Sequence, residues 1–330
     1  MSTERAGWLW WGGGLVLFSV FLSLLLGRYP SPYLTTPADL MENELARNVL
    51  LNLRLPRVLA AVMLGAVLAA SGTVFQMIFR NPLVDSGFLG VSSGAAFGAS
   101  LAIVALGGRS LVIQGCAATF AFVGLAASYF LARRIRFGDW VLRLVLAGIA
   151  VSALYASGTG VLKYLADPLR QLPEITFWLL GGLWGITWPD VAHILPVVVP
   201  CLVVIILMRW RLNLLSMRDE TAFSLGVAAG RERLLLLVAA VAATAALVSK
   251  AGQVAWVGLI VPHIARRIVG SDAQRALPAA MMVGALFALW CDNVSRTLLS
   301  GEIPLGILTS FVGAGLFLAL LMRQDWQVRK

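Results

Sequence analysis

Ten long apolar runs, separated by charged or Pro/Gly-rich breaks, follow one another along the chain: 8–27, 56–78, 88–106, 111–132, 141–165, 190–209, 234–250, 256–270, 277–299 and 305–322. A helix needs roughly 20 mostly apolar residues to cross a bilayer. The runs are continuous rather than alternating, which predicts helices and argues against a membrane barrel. An eleventh run, 172–186, is short, bounded by Pro173 and Pro189, and carries Trp178 and Trp184. It reads as a helix lying at or dipping into the membrane interface. The expected class is all-α: a polytopic membrane protein with about ten transmembrane helices in a single domain, 1–330. Its longest connections on the two sides are 28–55 and 210–233.

Composition narrows the picture. Hydrophobic residues make up 59% and charged residues 13% of the 330, against about 25% charged in soluble domains. That excludes a water-soluble enzyme and leaves no stretch for a separate soluble domain. Cys116, Cys201 and Cys291 lie inside apolar runs. Their odd number and long spacing indicate neither a disulfide frame nor a metal site. Arg5 precedes an apolar run from Gly7 to Gly27, a length that suits a first span better than a cleaved signal core.

The net charge of +10 is read as loop charge, because positive loops stay cytoplasmic. With the N-terminus inside, seventeen of the 26 Lys and Arg fall on the inner side and nine on the outer, while the sixteen acidic residues divide evenly. The bias therefore lies in the cations, as the positive-inside rule demands, and both termini are expected in the cytoplasm.

Candidate chemistry is sparse. There is no GxxxxGK[ST] phosphate loop and no GxSxG elbow, and His193 and His263 lie on different runs. Asp85, Asp139, Asp167, Glu174, Asp190, Asp272 and Glu302 fall in loops or at run ends. Asp292 alone is inside a run. Arg296 follows it one helical turn later, which reads as a structural ion pair near the outer end. Ion-driven transporters need carboxylate or His relays within their spans. Energy is thus expected from elsewhere, such as a separate ATPase, or the passage is passive. Gly90, Gly94 and Gly98, Gly181 with Gly185, and Gly226 with Gly230 recur every four residues, a spacing that lets helices approach closely.

Four collinear blocks resemble the FecCD family, permease subunits of ATP-binding-cassette importers for iron chelates, haem and vitamin B12. They are RLPRVLAAVMLGAVLAASGTVFQMIFRNPLVDSGFLGVSSGAAFG (54–98), DETAFSLGV (219–227), GQVAWVGLIVPHIARRIVGSD (252–272) and DNVSRTLLSGEIPLGILTSFVGAGLFLALL (292–321). The resemblance implies a non-catalytic, multi-pass permease of the bacterial inner membrane that dimerises with a second copy. It implies two ABC ATPase subunits on the inner face and a periplasmic substrate-binding protein on the outer face. No cofactor is expected on this chain; ATP and Mg belong to the partner ATPase. Nucleic acid is not an expected partner.

The same resemblance assigns roles to residues. Arg54 and Arg57 in RLPR and Arg296 in DNVSR match arginines that dock acidic residues of the binding protein. Asp219, Glu220, Thr221, Ala222, Leu225 and Gly226 match the coupling segment that inserts into the ATPase. Asn81, Pro82 and Leu83 of RNPL match a turn that helps close the cytoplasmic mouth. Pro82 by itself disfavours a helix through Asn81. Ser86 and Gly315 depart from the pattern, standing where many members carry proline. The competing reading is an ion-coupled secondary transporter or channel that works without an ATPase.

Overall fold

The computed structural model describes residues 4–29, 33–85, 87–217, 221, 224, 229–299 and 301–328. Helix α1 (Glu4–Leu25) ends in a small antiparallel bridge between β1 (Leu26–Gly27) and β2 (Tyr33–Leu34). The connection expected as loop 28–55 is largely helical. Helix α2 (Pro37–Glu42) starts at Thr36, whose hydroxyl accepts from Asp39 N while the Asp39 carboxylate accepts from Thr36 N, a reciprocal capping box. Asn43 caps α3 (Glu44–Val49), and a π-helical turn over Leu50–Arg54 runs on into α4 (Leu55–Ile78). The charged residues of this segment broke the apolar run, but local caps suffice for the short helices.

The remaining helices are α5 (Val91–Ala105), α6 (Ser110–Arg134), α7 (Trp140–Leu165), α8 (Gln171–Leu180), α9 (Trp188–Leu207), α10 (Arg209–Leu215), α11 (Ala229–Ala251), α12 (Val257–Val269), α13 (Ala273–Thr297) and α14 (Leu305–Val328). Among the described residues, seven helical stretches are long and apolar enough to cross a membrane. They are Glu44–Ile78, Ser110–Arg134, Trp140–Leu165, Trp188–Leu207, Gly230–Ala251, Ala273–Thr297 and Leu305–Met322. The other three expected runs form shorter apolar pieces. Leu9–Leu25 and Val91–Ala105 are two of them. The third, α12, has 13 residues and so spans about 20 Å, less than the ~30 Å hydrocarbon core. The expected interfacial helix 172–186 is α8 followed by a turn.

Helix α4 is the centre of the bundle and touches α9, α11, α12 and α13. Its approach to α13 is close enough to require glycine on both sides. A Cβ on Gly65 would lie 1.9 Å from the Gly284 carbonyl oxygen, and one on Gly284 would lie 2.3 Å from the Gly65 oxygen. Helices α5, α6 and α7 form a second layer, in which Gly94 and Gly98 face the backbone of α6 at Phe120 and Cys116. Gly90 precedes α5 as its cap. Gly181 and Gly185 do not share a helical face as their spacing suggested. Both adopt positive φ, +66° and +74°, in the α8–α9 connection, where glycine permits the turn. Gly226 lies outside the described residues.

Candidate functional site

The clearest chemical grouping sits where α4 begins and α13 ends. Arg57, one turn into α4, places Nε 2.9 Å and 3.2 Å from the two oxygens of Asp292, and Nη2 2.9 Å from Oδ1. The remaining Nη1 donates to Glu302 at 2.8 Å. Arg296 lies on the same face of α13, with Nε 3.7 Å from Asp292 Oδ2 and Nη2 donating to Ser23 Oγ at 2.8 Å. Ser23 in turn donates to Asn293, so the end of α1 is tied to the network. The sequence paired Asp292 with Arg296. The structure gives Arg57 the shorter, two-toothed contact. A signal was available: an arginine just inside one apolar run and an aspartate inside another must find partners once water is excluded.

Arg54 is also turned inward. Its guanidinium donates to Leu24 O at 3.0 Å, Thr35 Oγ1 at 2.8 Å and Tyr29 O at 2.6 Å. It thereby fastens the α1–α2 connection to α4, and five donors in one planar fork make arginine suited to this. The three arginines matched to docking are thus brought together, Arg54 and Arg296 with their polar ends engaged inside the fold. Beside them lies a cavity of about 330 Å³, lined in part by Arg28, Arg54, Arg57, Arg296, Glu302 and Trp184.

Trp184 belongs to the turn between α8 and α9 and also lines cavities of about 380 and 460 Å³. Glu174, Trp178 and Lys250 border both of these, and Lys250 forms an ion pair with Asp190. Residues of the turn 181–187 thus border all three cavities. The turn is anchored by Gly182 N to Ala251 O at 2.7 Å, and α9 is anchored by Trp188 Nε1 to Leu51 O at 3.0 Å.

At the opposite end, α4 stops at Ile78, and Arg80 turns the chain with φ +51°. Asn81 Oδ1 accepts from Leu83 N at 2.9 Å, and Asn81, Pro82 and Leu83 are all exposed. Gln76, in the last turn of α4, donates to the carbonyls of Leu259 and Gly258 at 3.0 Å and 3.3 Å and accepts from Arg266, tying α4 to α12. Asp85 caps Gly87 N at 2.9 Å, and burial pushes its carboxyl above the usual range. Of the coupling segment, Asp219, Glu220, Ala222, Leu225 and Gly226 lie outside the described residues. Thr221 is exposed, and its carbonyl accepts from Ser224 Oγ at 2.8 Å. Ser86 is likewise outside. Gly315 sits in the uninterrupted helix α14 with open space where a side chain would be. Proline there would remove an interior hydrogen bond.

Long apolar helices wrapped on a glycine-contacted centre, with charge gathered at the ends, define a polytopic membrane protein. The profile of the FecCD transport family matches residues 15–323, and the chain belongs to that family. It is 37% identical over 321 residues to the molybdate import system permease protein MolB of Haemophilus influenzae, covering 94% of this chain and 93% of the relative. It is 40% identical over 289 residues to the hemin transport system permease protein HmuU of Yersinia pestis, covering 86% of each. Its fold is similar, with a TM-score of 0.89 and 36% identity over 96% of this chain and 98% of the other, to a metal-chelate type ABC transporter solved in an inward-facing conformation. The protein is thus an ABC transporter permease of the metal-chelate importer type.

Proposed function

We propose that this chain is the translocation subunit of an ATP-driven importer and works as a homodimer. Two ABC ATPases bind its cytoplasmic face, and a periplasmic binding protein delivers cargo to its outer face. Both termini face the cytoplasm of a bacterial inner membrane, and the end carrying Arg57 and Asp292 faces the periplasm. The observation that carries the reading is the family match over residues 15–323. The charge network supports it: Asp292, the fully buried acid, is held by Arg57 and Arg296 rather than left to relay ions.

The chain performs no chemistry on its cargo. ATP binding draws the ATPases together, the 210–233 segment transmits the motion, and the opening between the two copies changes side. Energy enters as a difference in stability between inward-open and outward-open states. Asn81, Pro82 and Leu83 form part of the inner closure. Arg54, Arg57 and Arg296 mark the outer docking site: Arg57 offers its outer edge to an acidic partner, and Arg54 and Arg296, engaged inside the fold, brace it from behind. The cargo is a metal chelate, with iron chelate or haem preferred to corrinoid or oxyanion. Co-purification of the permease with an ATPase, whose turnover rises when loaded binding protein is added, tests the assembly. The ligand carried by that binding protein identifies the cargo.

A further inference from the structure

The two carboxylates that hold Arg57 differ in kind. Asp292 is fully buried and grips Nε and Nη2 from within the bundle. Glu302 takes Nη1 at 2.8 Å, yet its side chain keeps 40% of its exposure. The first contact is enclosed by packing; the second is open to water and salt, where ion pairs contribute little. The chain beside Glu302 is held independently of that contact. Ile303 N donates to Ser295 O at 3.1 Å, and Ser295 Oγ donates to Ile303 O at 2.6 Å. Glu302 can therefore swing off Arg57 while its loop stays in place.

We infer that Glu302 is an internal stand-in for an acidic side chain of the binding protein. It occupies the outer edge of Arg57 in the unpartnered permease and gives up that edge on docking. The inference rests on the docking reading above. Arg54 donates to Leu24, Tyr29 and Thr35, and Arg296 donates to Ser23 and Asn293. The Nη1 edge of Arg57 is the part of this set that meets an exposed carboxylate. An arriving carboxylate exchanges one charge-assisted bond for another, so apparent affinity falls by the fraction of time the edge is free. A partner without an acid at that point cannot make the exchange. Glu302 thus sets selectivity as well as affinity.

The test uses the full importer, permease with its ATPases, in lipid nanodiscs, titrated with its cognate binding protein at low and high salt. Glu302→Gln is expected to bind roughly three- to tenfold more tightly. Arg57→Gln is expected to bind at least about tenfold more weakly, and the double variant should match Arg57→Gln. Glu302→Asp, which keeps the charge on a shorter arm, should fall between wild type and Glu302→Gln and guards against a folding artefact. Unchanged or weaker binding in both Glu302 variants, with Arg57→Gln still weak, overturns the inference and leaves the docking reading intact. If Arg57→Gln binds as tightly as wild type, both are overturned.

Discussion

Arg57, near the start of α4, and Asp292, near the end of α13, are 235 residues apart in sequence and joined by a contact of 2.9 Å. Asp292 is fully buried, and the Arg57 side chain is 11% exposed. Breaking such a pair costs more than the pair itself contributes, because the survivor is left as an uncompensated charge. The two residues lock together the helices whose backbones meet at Gly65 and Gly284. The charge contact and the close packing are thus two halves of one α4–α13 joint.

Asp292→Ala is expected to destabilise the protein by roughly 3–5 kcal/mol, read as a lower thermal midpoint in detergent. Replacing both partners by apolar residues, Arg57→Met with Asp292→Leu, should recover part of that loss, because Arg296 is still left without its acid. A double variant as unstable as Asp292→Ala would show that the pair is more than a mutual neutraliser.

Gly65→Val should separate α4 from α13, since even the first added carbon meets the Gly284 carbonyl at 1.9 Å. Overpacking of this kind costs about 1–3 kcal/mol or more. Gly13→Ala is the control, because nothing lies within 4 Å of the added carbon. Equal yields of folded protein from both would remove the joint from the account.

Much of this architecture is legible in the apolar pattern, and particular elements show where legibility ends. The runs for α4, α6, α7, α9, α11, α13 and α14 correspond to helices of spanning length. The helices in 37–54 escaped because they are short and charged and depend on the side chains of Thr36 and Asn43 rather than on a periodic apolar face. Spacing alone put Gly181 and Gly185 on a helix. Their positive φ shows that the same residue type serves turns as readily as close packing. In the site, the family resemblance carried Arg54, Arg57 and Arg296, and the apolar pattern carried Asp292 with Arg296 one turn on. The choice of partner did not follow, because Arg57 reaches Asp292 and Glu302 only after α4 and α13 pack.

Asp272 caps α13, accepting from Gln274 N at 3.0 Å and from Asn213 Nδ2 at 2.7 Å. The Asn213 hydrogen bond foremost, with the Gln274 amide next, holds its carboxyl below the usual range. Because the folded value is depressed, the stabilisation is present above about pH 4, the unfolded value, and fades as pH falls through the lower folded value. Asp272→Ala should cost about 1 kcal/mol at neutral pH, and wild type and variant should converge in acid. A gap of constant size across that range would contradict the assignment.

Arg57→Glu is expected to reduce the ATPase activity stimulated by binding protein more than the basal activity. Equal losses in both would count against docking at this end. A bulky replacement at Gly226 should uncouple or disassemble the complex. Unchanged assembly and uptake would remove the 210–233 segment from force transmission.

This permease is expected to have no energy source of its own. The measurement is uptake into proteoliposomes containing the permease, with and without its ATPase, loaded with ATP and supplied with binding protein and chelate. Accumulation of chelate is expected only when the ATPase and hydrolysable ATP are both present. Uphill accumulation by the permease alone, under a proton or sodium gradient, would show an ion-coupled transporter instead.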